Sequence, residues 1–526
     1  MIGVCRKPVK ASRGITRTAT MDLPEFTPLR ITQSTQRITR GSLDAFDHVI
    51  VVVPKHPPPR WAQKLPRGRQ LEQLLAKTSR RGDDFASTRA DNARSTGITI
   101  AAFEATSPFA ALTWARKAVA EAQRDKPATL GIVPLGFDDG RSASGLAALV
   151  AAAHAAAFEL PTFRTTPARG GSRLRALKVL GAPEPLDLAA AAAHALGNNT
   201  ARWFTALPPN VLTATTYRDA LAKLAKSHSL LFEFLDEAAL KKLGAGAFLA
   251  VAQGNGARDA GIAHLGYRPS RGAPPGVALV GKGILMDTGG TNLKPFKGML
   301  DMHYDMQGSA VALGALLALA QLRAPYSVDA WLAITENRIG PSSYKSQDLV
   351  YAANGTSIQV IHTDAEGRMV LADTLALAAR AHPRVIVDYA SLTAACMYAL
   401  TQRYSGVFSN RAAANGVLTD AGVASGERVW PFPMDEDFDE LLKSDVADVK
   451  QCTVENEGDH ILAARFLNRF VPADVPWIHV DLSAGQHKGG LAHVPTEVTG
   501  FGARLTIELL RGEDASLGEL TRRLSS

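Results

Sequence analysis

His362-Thr363-Asp364-Ala365-Glu366-Gly367-Arg368-Met369-Val370-Leu371-Ala372-Asp373 sets two carboxylates, a glycine and an arginine within five residues, at the mouth of an apolar, alanine-rich helical run over 369–381. Carboxylates this close repel one another unless a positive charge lies between them, and a divalent metal is the usual answer. A second cluster lies upstream. It reads Val280-Gly281-Lys282-Gly283-Ile284-Leu285-Met286-Asp287-Thr288-Gly289-Gly290-Thr291-Asn292-Leu293-Lys294-Pro295, followed by Met302-His303-Tyr304-Asp305-Met306. Asp287 closes a strand-like run, and in open α/β sheets ligands collect at the carboxyl ends of strands, where glycine loops let the backbone approach. The two clusters read as halves of one metal site, which points to a metallo-hydrolase.

Asp287, Asp305, Asp364 and Glu366 together carry −4, the charge that balances two divalent cations. Oxygen-rich ligation suits Mg, Mn or a carboxylate-bound Zn. There is no His-Glu-x-x-His motif, so a single-zinc protease is disfavoured. An Asp before Gly-Gly is by itself usually a turn former, and a single Lys is usually a solvated cation. The four acids in similar settings decide against both plain readings. Lys282, flanked by glycines at a strand, is expected to be buried, to lose its proton and to serve as a nitrogen ligand. Lys294, beyond the Gly-Gly turn, is expected to stay charged and face an oxyanion forming on a carbonyl. Arg368 offers a bidentate fork for a small oxyanion or carboxylate.

Outward from the site the pattern alternates. His48-Val49-Ile50-Val51-Val52-Val53, closed by Pro54, reads as a buried strand, and 97–103 and 128–134 repeat the signature. Helical stretches over 108–124 and 144–158 lie between and after them, so a parallel sheet covered on both faces is expected. The alanine-rich segment 187–196 begins a linking helix, and Leu207-Pro208-Pro209-Asn210 breaks the pattern. The boundary is therefore set near 200. A second α/β unit follows, with helices over 217–228 and 237–243 and strands over 230–234, 248–252, 277–280, 329–335, 385–389 and 477–481. The expected class is α/β in two domains, each a largely parallel or mixed sheet covered by helices, the larger C-terminal one carrying the two-metal site. The division is 1–44 as a basic extension expected to lack order, 45–195 as an N-terminal scaffold or assembly domain, and 200–526 as the catalytic domain.

The 526 residues are too many for one ordinary core. Apolar content of 46% and charged content of 21% are those of a soluble globular protein. Cys5, Cys396 and Cys452 are far apart and unpaired in pattern, which fits a reducing, cytoplasmic compartment. The alanine-rich apolar run 146–158 has 13 residues and contains His154. That falls short of the about 20 a spanning helix needs, so no membrane segment is expected. Residues 1–94 hold 18 Lys/Arg against 8 Asp/Glu, a net of +10, which leaves the remaining 432 at −2. That excess motivates an alternative, a nucleic-acid-binding or regulatory role, although the region has no interleaved aromatics or clear helix-turn-helix.

The motifs together resemble the leucyl (cytosol) aminopeptidase family, whose signature is Asn-Thr-Asp-Ala-Glu-Gly-Arg. The chain keeps Thr363 to Arg368 and has His362 for the leading Asn. The resemblance covers roughly residues 200 to 512 and includes Leu207-Pro208-Pro209-Asn210, Val280-Gly281-Lys282-Gly283, Glu336-Asn337, Ser391-Leu392-Thr393 and Trp477-Ile478-His479-Val480-Asp481. It implies that Lys282, Asp287, Asp305, Asp364 and Glu366 hold two divalent metals, Mn or Zn, with Asp287 and Glu366 bridging. Lys294 and Arg368 match the two catalytic cations, and bicarbonate is expected at Arg368. The implied reaction is two-metal, bridging-hydroxide hydrolysis of the first peptide bond from a free N-terminus, by a homohexamer, with apolar, leucine-like residues preferred. Met302, Ser391, Leu392 and Ala394 are expected to line the substrate pocket. Gln307, Ser391, Ala394 and Asp459-His460 depart from the family pattern. Each changes side-chain volume near that pocket, where one methylene is worth about 1–3 kcal/mol.

Overall fold

The β-branched runs of the sequence become the central strands of two sheets. The computed structural model describes residues 21–511 and 521–524, apart from 22, 25, 27–28, 37–39, 138–141, 167–171, 274–275 and 456. The first sheet holds β1 (Arg30–Ser34), β2 (His48–Pro54), β3 (Phe85–Arg89), β4 (Gly97–Phe103), β5 (Thr129–Pro134) and β6 (Ala176–Leu180). Its order is β1-β6-β5-β2-β4-β3, parallel throughout except that β3 runs antiparallel to β4. Alternation along β2 shows why both faces are covered. Ile50 and Val52 enter a core shared with the helices Pro108–Gln123 and Ser142–Ala157, while Val49, Val51 and Val53 enter another shared with Trp61, Leu71 and Leu75.

The second sheet holds β7 (Leu231–Asp236), β8 (Gly261–Tyr267), β9 (Val277–Asp287), β10 (Val328–Asn337), β13 (Val385–Ala390), β14 (Ser405–Ser409), β15 (Val429–Pro431) and β17 (Trp477–Asp481), in the order β15-β14-β17-β13-β9-β10-β8-β7. A small third sheet joins β11 (Leu349–Tyr351), β12 (Ser357–Gln359) and β16 (Val449–Lys450). The four middle strands of the large sheet, β17, β13, β9 and β10, are parallel. Val277 and Leu279 face one core and Ala278 and Val280 the other, so this sheet too is covered on both sides. Asp287, Asn337 and Asp481 terminate three of these strands, and Ser391 follows the fourth. All four therefore gather at one carboxyl edge.

Two expectations are corrected, and the linking helix is extended. Residues 248–252 form a helix, Gly246–Ala252, not a strand. Its continuous apolar run is compatible with either element, and the carboxylate of Asp373, 125 residues away, decides by accepting a hydrogen bond from Phe248 N at 2.7 Å near the helix start. The expected linking helix is observed as Leu188–Thr205, which Asp187 caps through Ala190 N. Part of the 1–44 extension is integral to the first sheet, since β1 pairs in parallel with β6. The basic residues Arg6, Lys7, Lys10, Arg13 and Arg17 lie outside the described residues.

Candidate active site

β9 carries Lys282 at its middle and Asp287 at its end, and the following Thr288-Gly289-Gly290 turn returns the chain to Lys294. Asp305 sits in the short 3-10 helix Met302–Met306. Asp364 precedes, and Glu366 and Arg368 begin, the helix Glu366–Ala379. The fold thus brings the two sequence clusters to one place. Carboxylate oxygens of Asp287, Asp364 and Glu366 lie within 4.8 Å of one another. Lys282 Nζ stands 2.7 Å from Asp305 Oδ2 and 2.9 Å from Glu366 Oε1, and Lys294 Nζ stands 2.9 Å from Asp287 Oδ2 and 2.6 Å from Asp364 Oδ1. Glycine at 367 leaves room for Lys282, since a Cβ there would come within 2.7 Å of Lys282 Cε and Nζ and displace the ion-paired ammonium.

Four carboxylates against two ammonium groups leave the cage two charges negative, and its protonation equilibria follow. Burial and the charges of Glu366 and Asp287 push Asp305 up to about 8, against the pull of Lys282. Burial, Asp287 and Glu366 likewise push Asp364 up to about 7. Burial works against the Lys282 ammonium, but Asp305, Glu366 and Asp287 outweigh it and raise its pKa. Among the protein groups alone the carboxylate neighbours hold the proton on Lys282, and its nitrogen would become a ligand only where a divalent ion displaced that proton. Lys294 is raised in the same way, by Asp287, Glu366 and Asp364 acting against burial.

The donor set fits divalent cations. Glu366 Oε2 is buried without a hydrogen-bond partner. Asp305 Oδ2 and Asp364 Oδ1 face their lysines without hydrogen-bonding geometry. Buried carboxylate oxygens in this condition are costly unless a cation satisfies them.

Several supporting residues escaped the sequence reading. Asn337 Nδ2 donates to Asp287 Oδ1 at 2.8 Å and to Thr363 O at 3.0 Å, and Tyr344 Oη donates to the same carbonyl at 2.7 Å. Gln451 Oε1 accepts from Ile361 N and His362 N, while its Nε2 donates to Ala365 O, which fixes the loop before Glu366. These polar side chains come from separate strands and loops, and only the Glu336-Asn337 motif gave any sequence signal. Asp459 holds Arg368: its Oδ1 and Oδ2 accept from Arg368 Nη2 at 2.7 and 2.8 Å. The fork expected to bind bicarbonate is thus engaged by a side chain.

A cleft of about 260 Å³ opens over the cage, and its lining includes Met302, Ser391, Leu392 and Ala394 with Gln307, Met397 and Asp481. All four expected pocket residues are brought there. Ser391 has a second contact, donating from Oγ to Asp305 Oδ1 at 2.7 Å. The extra volume of Gln307 is accommodated opposite a glycine, since a Cβ on Gly485 would fall 1.9 Å from Gln307 Oε1. Some of the basic residues of the 1–94 region are paired with acids. Lys55, Arg67, Arg89 and Arg94 pair with Asp84, Asp91, Asp125 and Asp47.

Residues 199–507 match the catalytic domain of the cytosol aminopeptidase family, more than half of the chain. The chain belongs to that family. It is 40% identical over 326 residues to a probable cytosol aminopeptidase of Roseiflexus castenholzii, covering 62% of this chain and 66% of that protein. The corresponding protein of Parasynechococcus marenigrum is 37% identical over 391 residues, covering 73% of this chain and 79% of the relative. A mutant of tomato leucine aminopeptidase superposes with a TM-score of 0.81 at 27% identity, over 95% of this chain and 99% of that one. The matched part of the chain spans 66%, 61% and 66% of the length of the first three curated relatives. The cage and the cleft lining lie within the residues matched to the family's catalytic domain.

Proposed function

We propose that the protein is a metal-dependent aminopeptidase that removes the N-terminal residue from peptides. The observation that carries this reading is the cage itself: Asp287, Asp305, Asp364 and Glu366 around two lysines, at the floor of a half-apolar cleft. Lys282 and the four acids would hold the divalent ions, Mn or Zn. When bound, such ions polarise the scissile carbonyl and make water nucleophilic near neutral pH.

The chain's own residues supply the rest. Two divalent ions would balance the four acids. A free N-terminus would therefore be recognised through its neutral α-amine, a nitrogen donor that such an ion accepts, a reading that rests on the family resemblance. Met302, Leu392, Ala394 and Met397 offer an apolar surface for the first side chain, which favours leucine-like residues. Lys294, charged and at the cleft, is placed to stabilise negative charge developing on the carbonyl oxygen. Ser391 and Asn337 hold Asp305 and Asp287 in orientation. A hexameric assembly and a cytosolic location belong to the same proposal and rest on the family resemblance. No helix among the described residues is long and apolar enough to cross a membrane.

The test is a panel of dipeptide amides, each free and N-acetylated, offered to the Mn- or Zn-loaded protein and to Lys294→Ala. Metal-dependent cleavage of the free amines alone, lost in the variant, is expected. Efficient cleavage of acetylated members, or none with any metal, would overturn the reading.

A further inference from the structure

Arg368 is 2% exposed, and a guanidinium so deep requires an anion beside it. Its Nη2 donates to both oxygens of Asp459, at 2.7 and 2.8 Å, and its Nη1 donates to Gln451 O at 3.2 Å; Nε alone lacks a partner. The Asp459 side chain is 15% exposed and opens the helix Asp459–Asn468, where the helix N-terminus favours negative charge. Glu366 lies within electrostatic reach of Arg368, and His362 within reach of both Asp459 and Lys294, so the ion pair borders the cage.

A small oxyanion such as bicarbonate, held by two nitrogens along either edge of the guanidinium, would need the Nη2 that Asp459 engages. Placed there, it would share one guanidinium with a carboxylate already in contact, and two like charges at one cation in a buried site are unfavourable. The expected bicarbonate therefore does not fit this chain.

We propose that Asp459 is the resident anion of Arg368, so that the site carries its own carboxylate and neither binds nor requires a free oxyanion at that place. Asp459 acts here as a positioning residue, keeping Arg368 oriented and neutralised beside Glu366. The inference rests on the aminopeptidase reading of the site, and one arm of its test is independent of activity.

The metal-loaded full chain is assayed on a free dipeptide amide in carbon-dioxide-depleted buffer, with and without added bicarbonate. Binding of ¹³C-bicarbonate is followed in parallel by NMR line broadening. For the wild type, turnover is expected to be unchanged by bicarbonate, and the ¹³C signal unbroadened. Asp459→Ala empties the fork and should lose about 10–100-fold in kcat, the usual range for removing a group that orients an active-site residue. It should then regain most of that loss with bicarbonate but not with chloride, and broaden the ¹³C signal. Asp459→Asn, which keeps the shape and removes the charge, serves if the alanine variant does not fold; it should show the kcat loss without full rescue. Bicarbonate that binds to or accelerates the wild type would overturn the proposal. So would an Asp459→Ala protein that is fully active without bicarbonate, or one that is folded, inactive and not rescued. An inactive wild type whose ¹³C signal stays sharp would instead count against the aminopeptidase reading and leave the closed fork supported.

Discussion

Ser391→Ala tests whether the hydroxyl beside the cage orients a metal ligand. Ser391 Oγ donates to Asp305 Oδ1 at 2.7 Å, a short hydrogen bond to a carboxylate with a side-chain exposure of 8%. Hydrogen bonds to charged groups are worth about 1.5–3 kcal/mol. At about 1.4 kcal/mol per tenfold, losing this one should weaken metal binding at Asp305 by about 10–100-fold, the range seen when outer partners of metal ligands are removed. The backbone carbonyl of Ser391, which accepts from Lys282 Nζ at 2.9 Å, is untouched by the substitution. Lys282 therefore keeps its place, and the loss isolates Asp305. The assay is a calorimetric titration of chelator-stripped protein with Mn, with thermal melts of the metal-free forms to show that the fold survives. One class of site should weaken and the other should not. Ser391→Thr retains a hydroxyl and should bind metal like the wild type. Unchanged Mn affinity in Ser391→Ala would refute the argument, as would equal weakening in Ser391→Thr.

Two further predictions concern packing and pH. Gly485→Ala places a Cβ 1.9 Å from Gln307 Oε1 and should destabilise the protein by about 1 kcal/mol, the low end for overpacking, because the amide end of a side chain lining the cleft can move aside. Gln307→Gly in the same chain should recover most of that loss, and denaturant melts of the four proteins in the cycle would show coupling or refute it. His154, buried in the helix Ser142–Ala157, is lowered to about 4 by burial, so it is neutral in the native state and charges more readily when unfolded. The stability it confers is complete above its unfolded pKa of about 6.5 and falls by up to about 3 kcal/mol as the pH drops from there through 4. A melting-temperature series across that window should be steeper for the wild type than for His154→Leu. Parallel curves would show that burial does not hold the imidazole neutral.

The negative excess of the cage explains how one arrangement can be stable without metal and still take it. Lys282 and Lys294 bridge the carboxylates in pairs and limit their repulsion. Two ammonium groups cannot satisfy four acids, and the upward shifts of Asp305 and Asp364 measure the remainder. Adding cations lowers that cost, so metal binding and fold stability should be linked.

Much of this protein is legible in one dimension because its signals are local. The runs at 48–53, 97–103 and 385–389 are β-branched or apolar and bounded by breakers, and each became a strand within a residue or two. The clusters at 282–305 and 364–368 announce a cation site because acids at such spacing must be neutralised, wherever the chain puts them. What the tertiary structure alone decided depends on contacts between distant segments. Residues 248–252 are a helix because the carboxylate of Asp373 satisfies Phe248 N near its start, a partner that no local pattern names. Lys282 is enclosed by acids because Asp305 and Glu366 close on it from two other elements. Arg368 lacks a free fork because Asp459, 91 residues later, reaches it. Sequence spacing shows which charges the chain owns, but the energy of a buried charge is set by its neighbours in space, and those are chosen by the fold.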